Sequence, residues 1–552
     1  MRSVRRRAHP FRVGTLGATF PAVPPPTLLT DLRTRAAYAE GAGIYRIVPD
    51  AVAVPRAAAE LEQLVRWARA TQTTLVPRGA GSGMPGGNVG RGVVVDLSAG
   101  FRSLEIDSQR RIARAGASVT WQQVADAARP HGLRLPPDPS SGAFATSGGM
   151  VATNAAGPRT VRYGSVRRWI EGIEIVGGDG EIRWIRRGAG STEQFRLDQG
   201  GRRLVAERFP KTRKNSSGYA LDAFAESGDE LDLLIGSEGT LGITTAVEWR
   251  LDPIPPDAAG VALGFSDLAA LREAVPFVVA LNPSAVELLD ATLLRLIAGE
   301  GEEGTFPASR FPFPENVECL ILVEFERETA AAARGVVADA VRGLKAHTAH
   351  VETAVDRAGR DRLWELRRLA SPALARLPAT RRSLQVIEDG CVPLERLADY
   401  VAGVREAAAG RGVPVVIFGH AGDGHVHVNA LPDLTRPGWD GALAGLFEDQ
   451  VASLLRLGGS PSGEHGDGLL RAGLVERFFG PEVVALFREV KRGYDPRGIL
   501  NPGVILPAAG WAPLADLKVG AGAASIPDDI AARLREIERT GGWAVPKREL
   551  AR

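Results

Sequence analysis

The chain has 552 residues, is 44% hydrophobic and 24% charged, and carries a formal net charge of +2 at pH 7. That length allows two to four domains, the composition is that of an ordinary globular protein, and so neutral a balance gives no reason to expect nucleic acid. The two cysteines, Cys319 and Cys391, stand far apart and outside any C-x-x-C spacing, which excludes a disulfide framework, a thiolate zinc site and an iron–sulfur cluster built from this chain.

Residues 1–30 are basic, then Pro-rich, and are expected to be extended; no apolar h-region follows the basic start, so they do not read as a secretory signal. No run approaches the roughly eighteen apolar residues of a membrane span, and the default location is the cytoplasm. Tyr45–Val54 reads as a strand, and Leu61, Leu64, Val65 and Ala68 form one helical stripe at i, i+3, i+4, i+7 spacing. Two β-prone runs, Thr73–Pro77 and Val93–Leu97, then enclose a loop carrying Gly79, Gly81, Gly83, Gly86, Gly87 and Gly90. GSGMPG matches the dinucleotide pattern G-x-G-x-x-G, but that motif needs a helix directly after the glycines, and this loop returns to a strand. The reading is therefore a strand–loop–strand cradle whose bare N–H groups suit a diphosphate.

Ile112–Ala115 is a short strand, and Ser118 or Thr120 can cap the helix through Val124 and Ala128. Leu135–Val166 is rich in Gly, Ser, Thr and Asn and reads as a long binding loop, with Thr146, Ser147, Gly148, Gly149 and Asn154 as polar partners for a ring system or phosphate. Ile173–Val176 and Ile182–Ile185 flank a GGDG hairpin, residues 187–229 look irregular, and the three prolines of LDPIPPD set a domain boundary near residue 253. Beyond it, strands (Val261–Phe265, Glu318–Glu326, Leu384–Glu388, Val413–Phe418) alternate with Ala-rich helices (Leu268–Ala280, Ala330–Ala346, Leu394–Ala409), which predicts an α+β domain with helices on one sheet face. A tail after Leu506 holds one amphipathic helix with Ile530, Leu534 and Ile537 on its stripe, expected to dock a partner.

Four histidines and a glutamate carry the chemistry: His420, His425 and His427 in GHAGDGHVHVN, and Glu464 and His465 in SGEHGDG. On a strand His425, His427 and Asn429 share a face, and two imidazoles with one carboxylate suit Zn²⁺ or another divalent ion with an open position. Arg367 or Arg368 can hold a substrate carboxylate through a bidentate fork. Arg381–Arg382 and Arg202–Arg203 read as solvated surface.

In order along the chain, PRGAGSGMPGG, DPSSGAFATSGGMVATNAAG, GSEGTLGI, GHAGDGHVHVN, GEHGDG and DPRGILNPG resemble the flavin-dependent D-2-hydroxyacid dehydrogenases of the vanillyl-alcohol-oxidase type, across about residues 35–506. IEDGCVPLERL and the stretch from ERFFGPEVV to NPG look like the flavin half of large FAD/iron–sulfur fusions, without the cysteine-rich half. The resemblance implies an FAD-binding domain of two α+β subdomains (31–253), an α+β cap with an antiparallel sheet (254–465), a C-terminal return to the FAD domain (466–510) and the tail (511–552).

For the cofactor it implies diphosphate contacts from Arg78, Gly79, Ala80, Gly81, Ser82 and Gly83, with Gly86, Gly87 and Asn88 closing the loop. Pro137, Asp138, Thr146, Ser147, Gly148, Gly149, Asn154, Gly157 and Tyr163 would line the flavin. Glu238, Gly239, Gly242 and Ile243 would reach the adenosine and ring regions, and Asn501 the flavin from the return. His420, His427 and Glu464 would bind a divalent metal, zinc by preference. His465 would take the hydroxyl proton, and Arg367, Asn429 and His425 would face the substrate.

The chain departs from the resemblance in places. Position 425 is His where the family carries Asn or a small or apolar residue, so His425 can share the metal. Ile387 stands where D-2-hydroxyglutarate enzymes place a Lys, which argues against that substrate. No histidine lies in the glycine loop or in residues 135–166, so FAD is expected to be non-covalent. The resulting expectation is oxidation of a small D-2-hydroxy acid (lactate-like, glycolate or 2-hydroxyglutarate). Electrons would pass to a separate acceptor: an iron–sulfur subunit, an electron-transfer flavoprotein, a cytochrome or a quinone. Peripheral membrane association through that partner and a homodimer stay open. An alkyl transferase of ether-lipid synthesis shares the fold, but the intact His/Glu set and the terminal ELAR, unlike a peroxisomal signal, weigh against it. Retention of the same residues weighs against a non-catalytic electron-transfer subunit.

Overall fold

The computed structural model describes residues 25–190, 192–298, 316–386 and 388–552. The expectations for residues 1–24 and for Ile387 lie outside the described residues. The glycine loop is framed by β2 (Leu75–Arg78) and β3 (Val93–Asp96), and β1 (Ala51–Ala53) flanks β3 on its other side. Both pairings are parallel. A tight hairpin cannot join parallel neighbours, so residues 79–92 cross from one end of the sheet to the other as an open loop where a helix usually makes the crossover. Of the strand expected at Tyr45–Val54 only Ala51–Ala53 joins this sheet; Tyr45 instead bridges Leu517 of the tail. Helix Ala58–Thr71 buries Leu61, Leu64, Val65 and Ala68, the stripe its spacing demands. Residues 499–501 return to lie along Leu75, whose N–H donates to Ile499 O and whose carbonyl accepts from Asn501 N–H.

A five-stranded antiparallel sheet follows, built from β4 (Leu104–Asp107), β5 (Ile112–Gly116), β7 (Ile170–Gly177), β8 (Ile182–Arg186) and β9 (Gly242–Arg250) in the order β4-β5-β9-β7-β8; β6 (Leu133–Arg134) pairs separately with β10 (Asp252–Pro253). The GGDG hairpin forms between β7 and β8, and Thr120 caps helix Trp121–Ala128 in a full capping box. The stretch 135–166 is less irregular than its composition suggests. Thr146 accepts the Gly149 N–H and starts helix Ser147–Thr153, whose Met150 and Val151 are buried. Two glycines mask this helix from propensity, but the cap and the burial fix it. Residues 187–229 likewise hold helices Gln199–Arg208 and Leu221–Ser227.

The sheet changes between Arg250 and Asp257. A seven-stranded, wholly antiparallel sheet runs in the order β14-β11-β13-β12-β16-β17-β15, from β11 (Asp257–Phe265), β12 (Ala285–Asp290), β13 (Cys319–Arg327), β14 (His350–Ala354), β15 (Gly390–Cys391), β16 (Val415–Gly419) and β17 (His425–Ala430). Leu384 makes only a bridge to Ala430, short of the expected strand to Glu388. Helices cover both faces of this sheet, not one. Val261, Ile321, Val323 and Ile417 meet helices Leu271–Ala280, Ala330–Leu344 and Leu397–Arg411, whereas Ala262, Leu320, Leu322 and Phe418 meet Ala291–Ala298, Arg357–Arg368 and Ala370–Ala375. Alternate side chains along each strand feed the two cores.

The tail packs on its own chain. Lys518 N–H donates to Ile44 O and Arg46 N–H to Asp516 O, and helix Asp528–Thr540 buries Ile530, Leu534 and Ile537, with Trp543 and Leu550, against Ala36, Tyr38, Val52, Val76 and Val94. Each such side chain contributes about 1.5–3 kcal/mol. Towards the seven-stranded half the tail offers contact with helix Ala370–Ala375, an ion pair from Glu538 to Arg382 at 3.3 Å, of a kind worth roughly 0.2–1 kcal/mol, and, from its first residues, Trp511, Leu514, Leu517 and Val519 packed on the core that includes Val261, Ile321 and Leu443. The tail is therefore packed on both halves: residues 511–519 reach the larger core, while helix Asp528–Thr540 is rooted on the glycine-loop half and fastened to the other by its ion pair and the contact with Ala370–Ala375.

Candidate active site

A chamber of about 1580 Å³ lies between the two halves. It exceeds the roughly 300–1,000 Å³ of a single small-ligand site, leaving room for a dinucleotide and a further small molecule. One end is lined by residues 79–83, Gly87 and Asn88, with Asp138, Thr146, Gly148, Gly149, Glu238, Gly239, Gly242 and Ile243. Side chains are excluded from this cradle: a Cβ at Gly79 would stand 2.4 Å from Thr146 Oγ1, and one at Gly81, where φ is +81°, would stand 2.4 Å from the Arg78 guanidinium. The residues present fit an FAD laid along the loop.

Several expected contacts serve the frame of the cradle instead. Arg78 lines the chamber but is 1% exposed, and it donates to the carbonyls of Tyr38, Glu40 and Asn88, holding the loop from behind. Asn501 Nδ2 donates to Gly87 O and Glu238 O, tying the return to both sides of the cradle. Ser147 accepts from Trp249 Nε1, Asn154 Oδ1 accepts from Arg167 N–H, and Gly157 packs on the Asp138 carbonyl. Gly86 packs on the Tyr45 ring, Tyr163 bonds Glu326 and Arg134, and neither these two nor Pro137, Ser147, Asn154, Gly157 or Asn501 lines the chamber. Glu238, at φ +51°, accepts from the Asp467 and Gly468 N–H groups; burial, then the Asp467 carboxylate, pushes it up to about 8.

The other end is lined by His427, Asn429, Glu464 and His465, with Arg367, Ser383, Gln385 and Glu388. His420 Nε2 lies 3.0 Å and His427 Nε2 3.5 Å from Glu464 Oε1, so three ligand atoms converge. The second nitrogen of each imidazole is taken: His420 Nδ1 by Glu287 Oε1 at 2.6 Å, His427 Nδ1 by the Glu388 carbonyl at 3.2 Å. A carboxylate or carbonyl behind each ligand imidazole is how metal-binding histidines are held, and the donor set fits a divalent ion with an open position. His425 sits one layer deeper with no exposed surface, its Nε2 on Asp389 at 2.8 Å and its Nδ1 3.5 Å from Lys214 Nζ. It lies within ligand range of the other three but does not line the chamber, and burial with nearby Lys214 lowers it to about 3, so it is neutral.

His465 stacks on His427 with 5.1 Å between ring centroids, and its Nδ1 lies 2.6 Å from Glu388 Oε2. Burial alone would lower its pKa; the Glu388 and Asp389 carboxylates overcome that and raise it to about 10. Glu464 is likewise destabilised as an anion by burial, yet Lys214 at 2.8 Å and His420 hold it well below the usual carboxylate range. Asn429 Oδ1 accepts from the Ser383 hydroxyl at 3.0 Å, which leaves its amide N–H groups for the chamber. Arg367 lines the chamber, stands over the Phe418 ring and gives its Nε to Glu287 at 2.6 Å.

Lys214, Glu287, Glu388, Asp389 and Arg471 form the buried frame of this end and were not singled out in the sequence. Asp389 accepts from the Ser462 hydroxyl and the N–H groups of Glu464 and His465, while Arg471 clamps Glu388 and the Gly466 carbonyl. The readable signals were the acidic pair in IEDGC and the lone Lys in KNSSGY of a lysine-poor chain. Arg382, expected as solvated surface, is half-buried at the chamber and paired with Glu538, because the tail folds over it.

Residues 49–186 match the model of an FAD binding domain and residues 254–505 that of the C-terminal domain of FAD linked oxidases. The chain is 32% identical over 458 residues to D-lactate dehydrogenase of Archaeoglobus fulgidus, covering 82% of this chain and 91% of that protein. It is 30% identical over 503 residues to D-2-hydroxyglutarate dehydrogenase of Escherichia coli, covering 85% of this chain and 49% of that protein. Among solved structures, 4-ethylphenol oxidase from Gulosibacter chungangensis gives a TM-score of 0.62 at 16% identity, covering 87% of this chain and 94% of that one. An alkyldihydroxyacetonephosphate synthase gives 0.58 at 17%, covering 86% and 82%. At such identities the likeness speaks for fold alone. Given a 32% identical relative matched over 91% of its length, the chain belongs to the family of FAD-linked oxidases that contains these D-2-hydroxyacid dehydrogenases.

Proposed function

We propose that the protein oxidises a small D-2-hydroxy acid, lactate-like or glycolate, to the 2-oxo acid, with non-covalent FAD as hydride acceptor and a separate protein or quinone taking the electrons onward. The observation that carries this reading is His465 beside the His420–His427–Glu464 convergence, in a chamber whose far end is the glycine cradle. FAD, when bound, supplies the two-electron acceptor. His420, His427 and Glu464 would hold a divalent ion, zinc by donor type, which supplies Lewis acidity towards a bound hydroxyl.

The chain's own residues do the rest. The Asn429 amide and the Arg367 guanidinium orient the substrate carboxylate. His465 receives the hydroxyl proton at Nε2, since Glu388 occupies Nδ1. It accepts only when neutral, whereas Glu388 and Asp389 favour its charged form. Those carboxylates thus stabilise the state reached after proton transfer, and a cation beside Glu464 opposes the same charge beforehand.

The test is anaerobic bleaching of the FAD-loaded protein by D- and L-2-hydroxy acids, with and without chelator. One D-acid, or glycolate, which has no stereocentre, is expected to bleach the flavin, chelation to abolish the effect, and His465→Gln to slow it by about 10²–10⁴-fold. A flavin that no acid bleaches would overturn the dehydrogenase reading and favour alkyl transfer on the same fold.

A further inference from the structure

The family models end at residue 505, yet Glu538, Arg539, Thr540, Gly541 and Trp543 line the chamber. They come from the end of helix Asp528–Thr540 and the turn after it. On one side this segment is rooted in the core beside β1, β2 and β3, and Arg33 ties its start and end through Asp529 and the Ala551 carbonyl. On the other it reaches Arg382 through Glu538, next to Ser383 and so next to Asn429. Lys518, 6% exposed, donates to the same Glu538 at 3.0 Å, which fixes the carboxylate for Arg382.

Past Trp543 the chain turns inward. The Lys547 ammonium lies 5.0 Å over the Trp543 ring, is 4% exposed and has no hydrogen-bond partner. The Arg78 guanidinium and the Asp96 carboxylate are the charges that act on it. Asp96 is already engaged by the Tyr38 hydroxyl and the Ser98 N–H. The Arg78 guanidinium and, in its protonated form, the Lys547 ammonium thus stand with one shared carboxylate behind the loop of bare N–H groups. An unpartnered buried ammonium is costly by itself, and a dianionic diphosphate on the other side of that loop is the ligand chemistry that offsets it.

We propose that the C-terminal segment 511–552 is a working part of the flavin site. It is a clasp that walls the chamber from the glycine cradle to Arg382, and it sets how slowly FAD is lost. This rests on the flavin assignment and not on the hydroxy-acid reading. Because helix Asp528–Thr540 is rooted apolarly on the glycine-loop half and meets the other through the Arg382 ion pair and helix Ala370–Ala375, it releases at its Arg382 end first. FAD and tail docking then stabilise each other reciprocally.

The experiment compares hydrogen exchange of the tail in FAD-loaded and flavin-free wild-type protein, together with FAD release from wild type, Arg382→Ala and Trp543→Ala. Amides of residues 530–541 are expected to exchange at least tenfold more slowly in the loaded protein, and both variants to release FAD about tenfold faster. Unchanged exchange on loading, or release rates within twofold of wild type in both variants, overturns the clasp. If a variant fails to fold, the wild-type exchange comparison decides alone. A wild-type protein that takes up no FAD at all overturns the flavin assignment itself, a distinct result.

Discussion

Glu287 has no exposed surface and bonds His420 Nδ1 with one oxygen and Arg367 Nε with the other, both at 2.6 Å. Burial opposes its charge, but His420 and Arg367 hold its pKa below the ordinary carboxylate value. It sets the tautomer of His420 so that Nε2 presents its lone pair to the convergence with Glu464. Glu287→Gln keeps the shape and removes the charge, so divalent-ion affinity is expected to fall about 10–100-fold, read by chelator competition on the flavin-free protein. Unchanged affinity would remove His420 from the ligand set. Glu287 was not legible in the sequence, where residues 285–290 were not among the expected strands; only the fold, which makes them β12, turns that glutamate inward beneath His420. The set His420, His427 and Glu464 was named through the resemblance; spacing alone put His425 and His427 on one strand face, with His420 and Glu464 in glycine-flanked loops nearby. Glu388 and Asp389 become visible only once the bridge at Leu384 and β15 carry them beneath the GEHGDG loop.

At the scale of elements, the loop 79–92 joins parallel strands without a helix, and its glycines answer a space problem more than a flexibility one. Gly81→Ala would force a methyl into the Arg78 guanidinium at a positive φ that costs about 1–2 kcal/mol for a non-glycine residue. Gly335→Ala, inside helix Ala330–Leu344 with open space around it, gains helix propensity instead. The first is expected to weaken FAD binding at least tenfold in a fluorescence titration, and the second to leave it unchanged. Equal effects would mean that the loop does not shape the cradle. The cradle was readable in the sequence because a strand follows its glycines. Helix Ser147–Thr153 was not, since a Thr cap and two buried apolar side chains outweighed the weak propensity of Ser-Gly-Gly. The two-faced covering of the seven-stranded sheet was also hidden: strands buried on both sides lose the alternation that would announce a solvent face.

Over the whole molecule, the tail converts two halves into one closed body at an electrostatic cost. Burial, with the Arg78 guanidinium adding to it, pushes Lys547 down to about 7 from 10.5. Between those values the unfolded chain binds a proton that the folded chain does not, so this group makes stability rise with pH across that window; below about 7 its full burial cost is present. In flavin-free protein, Lys547→Met is expected to be more stable than wild type near pH 7, with the gap closing towards pH 10.5, as followed by denaturant unfolding. A gap that stays constant with pH would mean that Lys547 keeps its proton. The sequence showed the tail's stripe at Ile530, Leu534 and Ile537 but not its target, because an apolar stripe specifies a contact and not a partner.

That target bears on how the protein is made. Ala36, Tyr38, Val52, Val76 and Val94 leave the ribosome well before the side chains that complete their core, from Ile526 to Leu550. The second core of the same half also waits, for Val475 to Ile505. The glycine-loop half therefore stays an open fragment until those residues emerge, while the seven-stranded sheet, whose strands lie between Asp257 and Ala430, can form ahead of it. A chain cut short before Ile526 would keep His420, His427, Glu464 and His465 and would lack the part of the chamber wall that Glu538, Arg539, Thr540, Gly541 and Trp543 supply.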